Sequence, residues 1–234
     1  MELSEQRLLV ISPHPDDETY GCAGTIAKIK DHGGEVYVIV VALADLPHYV
    51  AGGMEPVTAT TRAQELDDVM RFLKVDDYEV LFTDPERLLR LDALPRRDLV
   101  ERFERGCRLA INTLKPTIVA LPAPSYNQDH VAVFEAGFTA CRPHLPEYKH
   151  APTMVVTYDN PTLSWYHQHF HPTLYVDISA YLDTKVEAFR RHRSQIKSSR
   201  HFGSLESMVD IARVKGREIA VEAAEAFVCY RMVL

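Results

Sequence analysis

Along this chain, short runs of nearly unbroken Val, Ile and Leu alternate with longer stretches in which apolar residues return every three or four positions. The runs at residues 8–11, 36–43, 79–82 and 117–121 have the length and composition of strands buried on both faces. The stretches between them, near residues 22–32, 61–73 and 98–114, carry the helical period. Strands joined by helices of this length predict βαβ units, hence an α/β fold whose mostly parallel sheet is covered on both faces. Gly33-Gly34 stands where the first helix should stop, because glycine enters a left-handed turn at little cost. Beyond Pro122 the pattern loosens into a short helix near 131–141, strands near 153–158 and 173–178, a helix near 180–196, and a last helix followed by a strand at 225–232. Pro143, Pro146 and Pro152 mark a loop, and no linker or repeat interrupts residues 1–234, so one domain is expected.

A single large core suits 234 residues with 46% hydrophobic content. The net charge of −7, with acids and bases interspersed and no basic block, removes the electrostatic footprint of a nucleic-acid or anionic-membrane binder. A small, neutral or modestly charged substrate is the expectation, and a homo-oligomer is compatible with this composition. The start Met1-Glu2-Leu3-Ser4-Glu5 lacks a basic region and an apolar core, and no stretch approaches the length of a membrane span. Cys22, Cys107, Cys141 and Cys229 are far apart and form no Cys-x-x-Cys pair, so reduced thiols and a cytoplasmic location are expected.

The chemistry concentrates directly after the first run, in Ser12-Pro13-His14-Pro15-Asp16-Asp17-Glu18. Three adjacent carboxylates beside an imidazole are costly unless a positive charge sits among them. A divalent metal supplies that charge, and imidazole with carboxylate suits zinc with one position open to water. The plainer alternative is a polar turn in which an Asp caps the next helix. No Gly-x-Gly-x-x-Gly is present, which weakens the case for a dinucleotide. Position favours a site, since open parallel sheets bind ligands beyond the carboxyl ends of their strands. Asn127-Gln128-Asp129-His130 follows the strand at 117–121 in the same way. In the doubly wound order 3-2-1-4, strands one and four are neighbours and the two clusters face one crevice. His14, Asp17 and His130 then offer two nitrogens and a carboxylate to Zn2+, while Asp16, unable to point the same way as Asp17, is left as a general base. For the second cluster the alternative is Asp129 as N-cap of a helix starting at Val131.

At these residues the chain resembles the LmbE-like, or PIG-L, family of zinc-dependent de-N-acetylases, whose hallmark Pro-His-Pro-Asp-Asp-Glu stands unchanged at residues 13–18. The likeness runs on through Gly21-Cys22-Ala23-Gly24-Thr25, Arg62 and Glu65, Asp129-His130, Asp177-Ile178, Lys185, His192-Arg193-Ser194-Gln195 and Ala224-Glu225-Ala226-Phe227. The first motif is highly specific; the others are supportive. The resemblance implies a Rossmann-like three-layer fold with extra strands in the C-terminal part, a zinc site of His14, Asp17 and His130, Asp16 as base, and hydrolysis of an N-acetyl group on a glucosamine-type sugar. It also implies that Arg62 and Asp84 hold sugar hydroxyls, against the plain alternatives of an Arg62–Glu65 surface pair and a turn at Asp84-Pro85. The rival readings are an amidase acting on a larger sugar-linked amide and a sugar- or nucleotide-binding module without chemistry.

Two departures from the family pattern bear on mechanism and specificity. Many members carry a His three residues before the second zinc His, held by the intervening Asp; here Asp129 keeps its place and Asn127 replaces that His. An amide donates a hydrogen bond to an oxyanion but delivers no proton. Asn127 and the Tyr126 hydroxyl are therefore expected to hold the oxyanion and Asp16 to make both proton transfers, with His171 or His192 as distant alternatives for the acid. The Asp-Gly that often ends the second strand is Asp45-Leu46, and residues 47–56 form an unfamiliar loop expected to set the substrate. His167, His169 and His171 would share one face of a strand, but without an acidic partner they read as a polar, aromatic loop whose Trp165 and Tyr166 could stack on a sugar.

Overall fold

A computed structural model describes residues 2–50, 53–160, 167 and 169–233. Strand β1 (Arg7–Ser12) runs through the middle of the sheet, because Leu8, Leu9, Val10 and Ile11 are apolar toward both faces and all four are buried. Strands β2 (Glu35–Ala42) and β5 (Asp77–Phe82) lie to one side of it and β6 (Ile118–Pro122) and β7 (Met154–Tyr158) to the other, all parallel. Strands β8 (Leu174–Asp177) and β9 (Ala224–Met232) complete the order β5-β2-β1-β6-β7-β9-β8, with β9 antiparallel to both neighbours. The first four strands of this sheet thus stand in the expected order 3-2-1-4.

Helices cover both faces. Leu8 and Val10 pack under α1 (Asp17–Asp31), α2 (Ala59–Phe72) and α6 (Leu182–Arg191), with α7 (Leu205–Glu218) beside α6. Leu9 and Ile11 pack under α3 (Arg96–Glu101), α4 (Ile111–Leu114) and α5 (Gln128–Ala140). Helix α1 approaches β7 so closely that a Cβ on Gly21 would come within 2.2 Å of the Tyr158 ring. It ends as the glycine pair requires: Gly33 has φ +84° and Gly34 N donates to Ile29 O.

Four sequence expectations need correction. The helix expected over 98–114 is broken: α3 gives way to a wider π turn at Arg102–Gly106, the chain extends at Cys107, and α4 is a single turn. The Glu79 carboxylate on β5 accepts from the backbone N–H groups of Arg108 and Leu109, which draws this stretch out of the helical ladder. The helix expected to reach 196 stops at Arg191, where buried His192 turns its ring to Glu18. Of the loop expected at 47–56, residues 47–50 and 53–56 belong to a two-stranded hairpin, β3 (Leu46–Val50) with β4 (Gly53–Val57), in which Pro47 stands opposite Pro56. Finally, α5 begins at Gln128, and Asn127, not Asp129, is its N-cap.

Candidate functional site

The hallmark motif forms the turn between β1 and α1. Asp16 holds φ +113°, a left-handed conformation that costs a non-glycine residue about 1–3 kcal/mol. The buried Glu18 carboxylate offsets this by accepting from Asp16 N at 3.0 Å, and His192 Nε2 lies 3.1 Å from its other oxygen. Asp16 occupies the N-cap position of α1, yet its side chain caps nothing. Its carboxylate is left to the cavity.

Asp17, one residue into α1, and His130, in the first turn of α5, meet His14 at the carboxyl ends of β1 and β6. Asp17 Oδ2 lies 3.4 Å from His14 Nδ1 and 3.3 Å from His130 Nε2. These separations match the edge of a tetrahedron built on bonds of about 2.0–2.1 Å, and two nitrogens with one carboxylate oxygen make a donor set that zinc accepts. The residues present therefore fit the metal that the sequence implies. A surrounding shell orients them: His14 Nε2 donates to Asp129 Oδ2 at 2.9 Å, and Asn160 Nδ2 lies 3.3 Å from Asp17 Oδ1 and 3.4 Å from His130 Nδ1. Asp129 is fully buried and also accepts from Leu89 N and Leu91 N, so it is a positioning group behind His14.

The three donors open into a cavity of about 210 Å3 that Asp16, Tyr126, Asn127 and Asn160 also line. Asn127 spends its Oδ1 on the backbone of Asp129, which leaves its amide nitrogen for a ligand. Burial, seconded by the Asp17 carboxylate, pushes the Asp16 carboxyl up to about 7, against the opposing fields of His192 and Arg62. Burial would likewise lower His14, but its bonds to Asp129 and Asp17 prevail and raise it to about 9. Burial would raise Asp17, but His130 and His14 hold it far below the usual carboxylate range. The cluster draws positive charge.

Other candidates fall elsewhere. Arg62 is buried with Nη1 on Ala44 O, and it reaches Asp16 and Asp17 only through its field from behind the cavity wall. Asp84 is exposed and paired with Arg87, as the turn alternative supposed. His192 Nε2 is taken up by Glu18 and Thr19, and His171 is exposed away from the cavity, so neither stands where a proton donor must. His167 and His169 are exposed too, while Trp165 and Tyr166 lie outside the described residues. Asn160, Lys197, His201 and Phe202, none of them expected from the sequence, also line the cavity. Asn160 carried a signal, a polar residue just past the carboxyl end of β7; the other three lie on a loop with no periodicity to mark it.

Among curated proteins, the diacetylchitobiose deacetylase of Thermococcus kodakarensis is 28% identical over 203 residues, covering 81% of this chain and 70% of that protein. The probable N-acetyl-alpha-D-glucosaminyl L-malate deacetylase 2 of Bacillus subtilis is 26% identical over 200 residues, covering 82% and 84%. Among solved structures, the 4-carboxy-2-hydroxymuconate hydratase GalB of Pseudomonas putida KT2440 superposes with a TM-score of 0.73 at 15% identity, covering 98% of each chain. That likeness concerns the fold alone, which hosts more than one reaction. The family model described as GlcNAc-PI de-N-acetylase matches residues 9–141, more than half the chain and both strand-end clusters, and the protein belongs to this PIG-L family.

Proposed function

We propose that the protein is a zinc-dependent hydrolase that removes an N-acetyl group from an N-acetylglucosamine-type sugar or sugar conjugate. The observation that carries the reading is the convergence of His14, Asp17 and His130 at adjacent strand ends, with the Asp16 carboxyl beside them and free of hydrogen-bond duty. Zinc held by these three side chains would polarise the acetamide carbonyl and make water more acidic. Asp16, whose carboxyl burial pushes up to about 7, suits a group that takes a proton from the attacking water and returns it to the leaving nitrogen. The Asn127 amide and the Tyr126 hydroxyl line the same cavity and supply donors for the developing oxyanion. Asp129 keeps the His14 ring in place, and the Asn160 amide, donating to Asp17 Oδ1, steadies the carboxylate.

Support for the substrate class comes from relatives named as deacetylases of glucosamine-type compounds. No described helix is long and apolar enough to cross a membrane, and a small, soluble amino sugar fits the cavity's polar lining. The test is metal analysis with an acetate-release assay on N-acetylated sugars. Replacement of His14, Asp17 or His130 by Ala should strip most of the zinc and the acetate release together, since three protein ligands leave none to spare. Full zinc occupancy in the His130→Ala protein would falsify the ligand set; a zinc-loaded wild type that releases no acetate from any N-acetyl sugar would leave a binding module.

A further inference from the structure

Building on the deacetylase reading, we propose that Lys197 recognises an anionic group, a carboxylate or phosphate, on the aglycone of the amino-sugar substrate, and that His48 of the β3–β4 hairpin positions it. Among the described residues that line the catalytic cavity, Lys197 is the only Lys or Arg. A half-buried ammonium is ordinarily matched by a carboxylate. Lys197 makes no ion pair within 4.0 Å among the described residues, and its side chain bonds instead to His48 Nδ1 at 3.2 Å.

That bond has a chemical direction. An ammonium can only donate, so Nδ1 of His48 is the acceptor and the ring is neutral there. Burial, with Lys197 and Arg62 nearby, holds His48 below its ordinary pKa, and contacts to Ser194 and Gln195 fix the ring. A neutral acceptor aims the ammonium without cancelling its charge, and two N–H bonds remain for a ligand. Asp16 reaches Lys197 only through its field, and the leading opposite charges acting on Asp16 are those of His192 and Arg62.

The loop that carries Lys197 is built before substrate arrives. Lys197 N donates to Gly203 O, His201 N to Ser198 O and Ser204 N to His201 O, and the Ser204 side chain then caps α7. The His201 and Phe202 rings lie 4.0 Å apart and both line the cavity, so an apolar face for a sugar ring adjoins the cation. His48 comes from the segment where the chain departs from the family pattern, which places the anion contact on the part expected to set the substrate.

The zinc-loaded protein is assayed with N-acetylglucosaminyl L-malate, its dimethyl ester, N-acetylglucosamine 1-phosphate and methyl N-acetylglucosaminide. The anionic substrates should exceed the neutral ones by about 10–100-fold in kcat/KM, chiefly through KM, as one charge-assisted contact allows; the order of malate and phosphate conjugates tells which anion the site takes. Lys197→Gln should collapse the ratio of malate conjugate to ester toward one, and Lys197→Arg should keep most of it. His48→Leu should raise KM for the malate conjugate more than it changes kcat, and His48→Asn, whose Oδ1 accepts in place of Nδ1, should restore it. Calorimetric titration of the metal-free protein with glucosaminyl malate should rank the variants in the same order. Equal kcat/KM for malate conjugate and ester, both being hydrolysed, overturns this inference alone. No acetate from any of the four overturns the deacetylase reading and this inference with it.

Discussion

Helix α1 carries two buried charge clusters, and they are built to opposite ends. Midway along it, Gly24 N and Thr25 N donate to the Glu225 carboxylate, and Lys185 Nζ donates to Glu225 Oε1 at 2.6 Å and to the Tyr20 carbonyl. Gly24 N and Tyr20 O stand four residues apart, the spacing of a ladder bond, and the ion pair takes up both groups. Lys185 and Glu225 are 3% and 4% exposed, and every charge there is matched. At the first turn of the same helix, Asp17, His14 and His130 are nearly as buried and Asp16 is partly so, yet among the described residues the Asp16 carboxylate has no hydrogen-bond partner and its backbone is strained. Matched buried charge locks α1 to α6 and β9; unmatched buried charge stores an affinity for a metal or a proton.

The sharpest way to separate the two clusters is Asp16→Asn, which keeps shape and removes the proposed base. Turnover should fall by about 10²–10⁴, with zinc content near that of the wild type; ordinary turnover would show that another group takes the proton. In the matched cluster, Lys185→Met should lower unfolding stability by about 3–5 kcal/mol by stranding Glu225. Joint replacement with Glu225→Leu should recover much of that loss in urea titrations, and a cost under about 1 kcal/mol for the single variant would erase the contrast. Asn127→Ser retains an N-cap for α5 while withdrawing the longer amide, so the expected loss is in kcat, about 10²–10³ at most. A fall in stability alone would make Asn127 a cap and nothing more.

The smallest effect is also the most telling one. The Asp16 carboxyl has a folded pKa of about 7, above its unfolded value of 3.8, so the protonated form is the one that folding favours. Its contribution is fully present below pH 3.8 and is lost as pH rises through about 7. Metal-free Asp16→Asn should therefore match the wild type near pH 3 and exceed it near pH 8 by roughly 1–2 kcal/mol, below the ideal linkage value because the site relaxes. Replacement in the catalytic cluster would then stabilise where replacement in the matched cluster destabilises; equal midpoints at pH 8 would remove that opposition.

The parallel half of the sheet and the strand-end His and Asp residues were legible because each rests on a short-range signal. Val, Ile and Leu runs report strands buried on both faces, and polar clusters directly after two such runs report a crevice at strand ends. Helix limits were less legible. The period of 98–114 holds in the sequence, but Glu79, some thirty residues earlier in the chain, captures the backbone of Arg108 and Leu109. The period of 180–196 is likewise cut short by the buried bond of His192 to Glu18. Asp129 was read as a cap or as a partner of the residue at 127; its carboxylate instead serves His14, from which it is separated by 115 positions.

By itself, then, the chain determined an α/β fold with a mostly parallel sheet and two polar clusters at strand ends, since local pattern suffices for both; the order 3-2-1-4 that brings those clusters together was a supposition from the common doubly wound fold until the sheet showed it. Tertiary structure alone decided which carboxylates face the cavity and which stand behind it. Asp16 and Asp17 are neighbours in sequence, but the positive φ of Asp16, held by Glu18, turns one carboxylate into the cavity without a hydrogen bond and the other between His14 and His130. It also decided that Lys197 and His48 meet, although 149 positions separate them. Hydrogen bonds between distant segments depend on how the layers pack, and no spacing along the chain encodes that distance.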